Sequence, residues 1–322
     1  MSSGAVQAVV DLGGEEVGRL LDAVEQRMGE LAVGHGVVLA RYAVETIAAG
    51  GKRLRPLLVC LAAGAPPVET DGLLRAAVAV ELVHGATLIH DDVLDGSQLR
   101  RGRPTVFASG GRSMATATGD LLFSRAFAEL AGTGSAEAVR VLSRASCDLA
   151  EGELMQRSDA FAAEVSVERY LERCRLKTAV LFRAACELGA LQAGGPAEAL
   201  GAFGEQIGLA FQILDDVLDV TGPPERTGKP RGADLLDGTV TLPLILARAC
   251  DPELAALDLR GVDTPETAAQ VCDRIAATGA LEQARARSPE LVAAARDALP
   301  PLPDRQRTAL TLVAAGVVER YS

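Results

Sequence analysis

Apolar residues recur every three or four positions along most of this chain, which is the spacing that places them on one face of an α-helix. Gly50-Gly51 interrupts this pattern once, and a loop is expected at Gly96–Thr105. Helices are predicted between such breaks. One or two helices are predicted over 15–49, and another begins at Pro56 and continues through Leu61. Further helices are predicted over Leu73–Asp95, Ser113–Ala131, Ala136–Arg157, Val167–Leu191 and Ala197–Val220.

The remaining segments are less regular. Thr221–Leu242 is rich in glycine and proline and is predicted to be irregular. Beyond it the pattern predicts helices broken near Pro252, Gly261, Pro289 and Pro300–Pro303. Residues 1–14 are small and unpatterned, so we expect them to be poorly ordered. No segment alternates with period two for long enough to predict a strand, and nothing resembles a domain linker, so the sequence predicts one all-α domain over residues 1–322.

Composition narrows the class of protein. The chain has 322 residues, 48% of them apolar, and a formal net charge of −11, which disfavours nucleic acid as a partner. Six scattered cysteines include no zinc spacing and are typical of buried thiols in a reducing cytoplasm. No signal peptide is indicated, and no apolar run approaches the ~20 residues of a membrane span, so a cytoplasmic rather than an integral membrane protein is expected.

The pentapeptide Asp-Asp-Val-Leu-Asp occurs twice, each time after an apolar dipeptide near the end of a predicted helix. Its first and last aspartates lie four residues apart and therefore share a helix face. Like charges at this spacing destabilise an isolated helix by about 0.2–0.5 kcal/mol per pair, and carboxylates near a helix C-terminus also oppose the macrodipole. A cation between the two helices would remove these costs. The candidate metal ligands are Asp91, Asp92, Asp95, Asp215, Asp216 and Asp219.

Sites built only from oxygen favour hard cations such as Mg²⁺, which uses one or two carboxylates together with substrate phosphates. The alternative is a pair of solvated acidic helix ends, which the exact repetition of the motif makes less favourable. His84 and Thr87 fall on the same helical stripe as Asp91. For His84 a buried structural role is the alternative, and His90 is interpreted as a local supporting or capping residue.

Basic residues are concentrated in turns. Gly50–Pro56 places Lys52 and Arg55 at a glycine-rich turn that opens a helix, where backbone N–H groups and cations together can bind a diphosphate. A second basic turn, Arg100–Thr105, follows the first aspartate cluster. Each turn alone could be a solvated surface loop. Only three of the 32 basic residues are lysines, which indicates sites that arginine does not suit, although chance in an arginine-rich chain is the alternative.

These motifs, in this order, resemble the trans-prenyl diphosphate synthases, also called polyprenyl synthetases. The resemblance covers nearly the whole chain through GGKRLRP (50–56), LIHDDVLD (88–95), RRGRPT (100–105), GD (119–120), KT (177–178), FQILDDVLD (211–219), GK (228–229) and DLLDGTVTLP (234–243). It implies an isoprenoid-synthase bundle of ten or more helices around a central apolar cavity. It also implies a homodimer, with isopentenyl diphosphate and an allylic diphosphate as substrates.

The resemblance implies a role for each candidate residue. The isopentenyl diphosphate site would comprise Lys52, Arg55, His84 and Arg101. Three Mg²⁺ ions would be bound chiefly by Asp91, Asp95 and Asp215, with the other three aspartates assisting. The allylic diphosphate would contact Arg100, Lys177 and Lys229, while Thr178 and Gln212 flank the cation that forms. All three lysines thus fall in diphosphate motifs. One departure is Thr239, where the family usually has lysine; we expect weaker binding of one substrate or altered loop closure.

The implied reaction breaks a carbon–oxygen bond, and bound cations stabilise the departing diphosphate. Small residues precede Asp91 on its stripe, where bulky aromatics stop chain growth early in the family, so products of C20 or longer are expected. Phe123 and Phe127 could form a deeper floor. The alternatives are a shorter-chain C15 synthase, a class I terpene cyclase and a subunit of a heteromeric synthase. A cyclase usually carries an asparagine- or serine-containing second metal motif, whereas this chain contains no asparagine.

Overall fold

A computed structural model describes residues 3–33, 37–48, 51, 53–100, 102–162, 164–222 and 230–319. Within them the chain is almost entirely helical, which confirms the all-α prediction. The helices are α1 (Ser3–Gly13), α2 (Glu15–Val33), α3 (Val37–Ala48), α4 (Leu54–Ala63), α5 (Asp71–Leu94), α6 (Val106–Ala131), α7 (Ala136–Asp159), α8 (Val167–Cys174), α9 (Val180–Gln192), α10 (Ala197–Thr221), α11 (Ala233–Leu236), α12 (Leu242–Arg248), α13 (Pro252–Ala255), α14 (Pro265–Ala277), α15 (Ala280–Asp297) and α16 (Asp304–Glu319).

Short irregular elements join them. A π-helical turn, Arg175–Ala179, separates α8 from α9, and a 3₁₀ turn covers Leu259–Gly261. Two-residue strands β1 (Leu99–Arg100) and β2 (Arg103–Pro104) pair antiparallel inside the predicted loop after α5. This hairpin is too short to have an alternating pattern, which is why the sequence predicts no strand there.

The residues cluster into two compact units. The first comprises residues 1–146, 181–204 and 298–316, and the second comprises 147–180, 205–297 and 317–322. In the first unit α5 contacts α2, α4 and α6, and every residue of α5 from Ala76 to Val83 is buried. In the second unit α8, α10, α12, α14 and α15 share an apolar core that includes Tyr170, Ile213, Leu244 and Ile275. The single-domain boundary of 1–322 stays a prediction.

Besides the β1–β2 hairpin, the π-helical turn inside the predicted helix 167–191 and the short helix α11 inside the segment predicted to be irregular, three local predictions differ from the structure. Residues 3–13 form α1, which is anchored because Val9 is buried and Arg305 donates a 2.6 Å hydrogen bond to the Leu12 carbonyl. Helix α6 begins at Val106 instead of Ser113, and Gly111, at φ 75° and ψ 175°, kinks it just before the predicted start.

The third difference is at Pro289, which lies inside α15 and does not break it. A proline in a helix interior removes one backbone hydrogen bond and usually kinks or ends the helix. Here the buried face of α15 continues on both sides, through Ala284 and Ser288 before the proline and Val292 after it. Burial of that face offsets the lost bond.

Helix α5 is long and apolar enough to cross a membrane by length and composition, because charged residues are sparse over an 18-residue window. In this structure 61% of that window is buried within the protein, as in the core helix of a globular unit. No other helix in the described ranges meets both criteria.

Candidate active site

The first aspartate cluster lies at the C-terminal end of α5 in the first unit. Asp91 is half-buried, and Asp95 caps the helix by donating its N–H to the Asp91 carbonyl at 2.8 Å. Asp92 is only 4% exposed and accepts hydrogen bonds from the Arg100 guanidinium at 2.9 and 2.8 Å. The cluster therefore has two half-buried carboxyl groups and one that is buried and already paired with an arginine.

The β1–β2 hairpin positions the second basic turn beside this cluster. Gly102 adopts φ 74° at the tip, a left-handed conformation that favours glycine. Thr105 stabilises the hairpin, because its hydroxyl donates a hydrogen bond to the Ser97 carbonyl at 2.7 Å and accepts one from the Ala108 N–H at 2.9 Å. Arg100, a predicted contact of the allylic diphosphate, thus makes its ion pair with Asp92 in this structure.

A cavity of about 330 Å³ opens in the first unit among α2, α3, α5, the hairpin and the start of α6. Its polar lining includes Glu81, His84, Asp92 and Arg100, and its apolar lining includes Leu82, Ile89 and Leu122. His84, predicted to contact isopentenyl diphosphate, therefore faces a space large enough for a ligand.

Arg55 lies in the first turn of α4 with its guanidinium over the Phe182 ring, 4.7 Å from the ring centroid. Its Nε is buried and has no hydrogen-bond partner among the described residues. Burial lowers the pKa of Arg55 to about 10, and the Glu81 carboxylate opposes part of that shift, so the group stays charged at neutral pH. An unpaired, partly desolvated guanidinium is suited to an anionic ligand.

In the Gly119-Asp120 pair on α6, a steric contact explains why position 119 is glycine. A Cβ at Gly119 would collide with the imidazole of His90. The His90 ring stacks on Phe123 with centroids 5.7 Å apart, and its Nε2 lies 3.4 Å from the Asp120 carboxylate. His90 thus packs against Gly119 and Phe123 directly before the first aspartates, its Nε2 makes no hydrogen bond within the described part of the chain, and its interpretation as a supporting residue stays a prediction.

The second aspartate cluster lies near the end of α10 in the second unit. Asp215 is exposed and Asp219 is half-buried, with one carboxylate oxygen 3.3 Å from the Asp234 N–H. Asp216 is 4% exposed. As in the first cluster, the second aspartate of the motif points inward and the first is accessible.

Asp216 ends a buried chain of hydrogen bonds. The Thr178 hydroxyl donates to the Gln212 amide oxygen at 2.6 Å, and the Gln212 amide nitrogen donates to Asp216 at 2.7 Å. The Tyr170 hydroxyl donates to the other Asp216 oxygen at 2.7 Å. Burial and the nearby Asp234 raise the pKa of Asp216 to about 8, although the hydrogen bonds from Tyr170 and Gln212 lower it. The structure thus brings Thr178 and Gln212 together with the second aspartate cluster.

Lys177 lies in the π-helical turn, a distortion that often occurs at functional sites. Its ammonium is 2.5 Å from the Glu153 carboxylate on α7. Burial would raise the pKa of Glu153, but Lys177 and Arg157 outweigh it and lower the pKa. A Cβ at Gly152 would be 2.6 Å from the Lys177 backbone nitrogen, so glycine there allows the close approach of α7 that forms this pair.

Thr239, the departure from the family pattern, is 8% exposed, and its N–H donates to the Asp234 carbonyl at 2.8 Å. The predicted effect of this substitution on binding stays a prediction. Three predicted site residues, Lys52, Arg101 and Lys229, lie outside the described residues.

The donors that each unit offers a metal are carboxylate oxygens, with Asp91 and Asp95 at least partly exposed in the first unit and Asp215 and Asp219 in the second. In the described ranges no group of three or more His, Cys, Asp or Glu side chains could hold a metal ion by itself. Mg²⁺ commonly keeps several waters and binds through one or two carboxylates and substrate phosphates. Each cluster, taken by itself, therefore has donors that suit Mg²⁺ in company with a diphosphate.

Sequence reasoning missed three residues that shape these sites: Arg53, Glu153 and Tyr170. Tyr170 contacts Asp216 across 46 residues and Lys177 contacts Glu153 across 24, so no local pattern reports either contact. Arg53 lies within a quoted motif, but its ion pairs with Glu25 and Glu81 are each 28 residues distant.

We expect Tyr170→Phe to reduce the free energy of unfolding by about 1.5–3 kcal/mol, because it removes a buried hydrogen bond to a carboxyl group. Urea denaturation of the metal-free protein measures this. Tyr42→Phe is the control, since that hydroxyl is partly exposed and lies 3.5 Å from the Ser109 carbonyl, and a change within about 0.5 kcal/mol is expected. Equal losses in the two variants would show that the Asp216 bond contributes nothing special.

Comparison with known proteins identifies the family of this chain. The polyprenyl synthetase family model matches residues 37–276. Component 2 of the heptaprenyl diphosphate synthase of Geobacillus stearothermophilus is 41% identical over 273 residues, covering 83% of this chain and 85% of that protein. The octaprenyl diphosphate synthase of Escherichia coli is 36% identical over 282 residues, covering 85% and 87%.

Solved structures show the same fold. A polyprenyl synthase from Caulobacter crescentus, complexed with calcium and isoprenyl diphosphate, superposes with a TM-score of 0.89 at 37% identity over 98% of each chain. Since the family model and relatives above 30% identity both span most of its length, the chain belongs to the polyprenyl synthetase family.

Proposed function

We propose that this protein is a Mg²⁺-dependent trans-prenyl diphosphate synthase that joins isopentenyl diphosphate to an allylic diphosphate, releases diphosphate and forms products of C20 or longer. The observation that carries the proposal is the hydrogen-bonded chain of the second unit. It links the aspartate motif of α10, through Gln212 and Thr178, to the residue next to Lys177. Candidate metal ligands and a cation for the leaving group are thus held on neighbouring elements.

In the proposed site, Asp91, Asp95 and Asp215 are the principal ligands of three Mg²⁺ ions, assisted by Asp92, Asp216 and Asp219. Bound there, Mg²⁺ would neutralise charge that develops on the departing diphosphate. The repetition of DDVLD on two helices, with its first aspartate accessible in each copy, supports this assignment.

The chain's own residues perform the remaining tasks in the proposed mechanism. Lys177, with Arg100 and Lys229, binds the allylic diphosphate and stabilises its charge as the carbon–oxygen bond breaks. The Thr178 hydroxyl and the Gln212 amide oxygen are dipoles beside the allylic cation, and their mutual hydrogen bond orients them in advance. The double bond of isopentenyl diphosphate attacks this cation, and a proton is then lost, which we assign to the released diphosphate. The apolar helical cavity that the family resemblance implies would exclude the water that otherwise captures the cation.

The isopentenyl diphosphate site is proposed at Lys52, Arg55, His84 and Arg101. The unpaired Arg55 guanidinium and the position of His84 on the cavity lining support it. We also propose a homodimer, on the family resemblance, and a cytoplasmic location, on the scattered cysteines typical of a reducing compartment.

The direct experiment is an assay of the purified chain alone with Mg²⁺, isopentenyl diphosphate and a C5, C10 or C15 primer, with products separated by chromatography. Prenyl diphosphates of C20 or longer are expected. Cyclised hydrocarbon from an allylic diphosphate without isopentenyl diphosphate would favour a terpene cyclase, and C15 as the longest product would refute the chain-length proposal.

A second candidate function rests on one observation, the 41% identity to a protein named component 2 of a synthase. In this alternative the chain is the catalytic component of a heteromeric synthase, since it keeps both aspartate clusters. The same assay separates the two proposals, because a catalytic component would be inactive until a partner chain is added.

Product length should respond to residues just before the first aspartates. We expect Thr87→Phe to shorten the longest product to about C15, because an aromatic ring four residues before Asp91 would obstruct the growing chain on that helix face. Chromatography of dephosphorylated products measures this. Val68→Phe is the control, since Val68 is 77% exposed and should keep the wild-type distribution. Unchanged products in Thr87→Phe would place the growing chain elsewhere.

A further inference from the structure

Arg53 has a backbone conformation that arginine rarely adopts. It precedes the first residue of α4 with φ 45° and ψ 37°, in the left-handed region that favours glycine. Such a conformation costs free energy and persists only where surrounding contacts hold it in place. The side chain of Arg53 provides those contacts.

The Arg53 guanidinium binds three different helices. It forms an ion pair with Glu25 of α2 through two nitrogens, one of them 2.9 Å from the carboxylate. A third nitrogen is 2.7 Å from the Glu81 carboxylate on α5, and the Ile47 carbonyl of α3 accepts a 3.1 Å hydrogen bond. The side chains of Arg53 and Glu81 are only 13% and 7% exposed, so water competes little for this pair.

Glu81 also acts on Arg55, two residues further along. Among the described residues, its carboxylate charge opposes the effect of burial and raises the pKa of Arg55. Yet Arg55 forms no ion pair with any described residue, and its contact is with the Phe182 ring. The buried Glu81 carboxylate is thus bound by Arg53, while Arg55, whose pKa the Glu81 charge raises, makes no ion pair with a described residue.

We propose that Arg53 is a positioning residue which occupies Glu81 and thereby keeps the Arg55 guanidinium available to the diphosphate of isopentenyl diphosphate. The inference rests on the proposed function for the identity of that anion. Without Arg53, Glu81 would keep a buried charge with no partner, and Arg55 is the nearby cation that could neutralise it. Isopentenyl diphosphate would then compete with Glu81 for Arg55.

A purely structural role for Arg53 is the rival explanation, since it connects α2, α3 and α5. The two explanations differ in what removal of the Glu81 charge should do. If Arg53 only connects helices, removal of the Glu81 charge as well can restore stability but should not selectively restore the KM for isopentenyl diphosphate. If Arg53 occupies Glu81, a neutral residue at position 81 leaves Arg55 available again.

The test compares Arg53→Met with the double variant Arg53→Met/Glu81→Gln by steady-state kinetics. We expect Arg53→Met to raise the KM for isopentenyl diphosphate about tenfold, with the KM for the allylic primer and kcat changed less than about twofold. The double variant should return to within about threefold of the wild-type KM. Binding of isopentenyl diphosphate alone, measured by calorimetry, should follow the same order.

Arg27→Met is the matched control, because Arg27 also binds a buried glutamate of the first unit, Glu129, at 2.9 Å. It should lower thermal stability without changing either KM. If Arg53→Met does not fold, Arg53→Gln replaces it in both variants, since a neutral polar side chain cannot neutralise Glu81.

An equal rise in both KM values, or a double variant no better than the single one, would overturn the proposal. Failure of the proposed function would look different, because the wild-type chain itself would then not condense isopentenyl diphosphate with any primer.

Discussion

Replacement of Asp91 by alanine is expected to lower kcat by about 10³-fold or more, because it removes a principal Mg²⁺ ligand in the proposed site. Asp91 is half-buried at the end of α5, while Asp92 beside it is occupied by Arg100 at 2.8 and 2.9 Å. Asp92 is therefore poorly placed to substitute for Asp91. Single-turnover kinetics at saturating substrate and Mg²⁺ would measure the loss in the chemical step.

Asp71→Ala is the matched control for this prediction. Asp71 is in the first turn of the same helix and pairs with Arg75 at its exposed surface. Loss of that exposed pair should cost at most about 1 kcal/mol of stability and should leave kcat unchanged. Near-normal turnover in Asp91→Ala would remove the first cluster from the metal site.

Replacement of Lys177 by methionine should lower kcat by about 10²–10³-fold, because a cation no longer stabilises the leaving diphosphate. The Lys177 ammonium is 2.5 Å from the Glu153 carboxylate in this structure. To bind the allylic diphosphate, Lys177 must therefore leave Glu153 and pair with the diphosphate instead. Methionine keeps most of the apolar length of the side chain, which separates loss of charge from loss of packing. Rapid-quench measurement of one turnover would show the effect on bond cleavage.

Glu153→Gln tests the same exchange from the other side. It removes the charge that holds Lys177 in this structure while leaving a side chain of equal size. We expect the KM for the allylic primer to fall about two- to threefold, with kcat retained, because Lys177 no longer has to leave a carboxylate. A kcat loss as large as that of Lys177→Met would mean that the pair itself, and not the free ammonium, is what catalysis needs.

Helical periodicity was sufficient to predict the elements that hold the aspartate motifs. The predicted helices 73–95 and 197–220 match α5 and α10 within about two residues at each end. These predictions use only local features of the sequence, namely the spacing of apolar residues along one helix face and the polar residues at the end of each helix. The chemistry of the clusters also follows from sequence, because the spacing of four residues alone places the first and last aspartate on one helix face.

Contacts between distant segments could not be predicted in this way. Nothing in the spacing of residues 167–191 distinguishes a continuous helix from α8 and α9 joined by a π-helical turn, yet that turn carries Lys177 and Thr178. Tyr170 has the position of an ordinary core aromatic, and only the fold shows that its hydroxyl bonds Asp216. The same holds for Arg53, whose partners Glu25 and Glu81 are each 28 residues distant in sequence.

Glycine and proline residues predicted breaks in helices correctly at some positions and not at others, because contacts between distant segments also decide where a helix continues. Gly111 interrupts α6 as its type suggests, but Pro289 continues α15, because burial around it outweighs the lost backbone bond. The unpatterned residues 3–13 form a helix because Arg305, nearly 300 residues later, binds the Leu12 carbonyl. Local patterns report local free energies, and tertiary contacts decide these cases.

The measurement that tests the central claim most directly is a crystal structure of the protein with Mn²⁺ in place of Mg²⁺ and an unreactive allylic thiolodiphosphate, with the ions located by anomalous scattering. The account predicts ions at direct coordination distance, roughly 2.0–2.3 Å, from carboxylate oxygens of both Asp91 and Asp215, with the same diphosphate as a shared ligand. Ions bound to neither carboxylate, or a diphosphate bound by arginines and lysines alone, would contradict it.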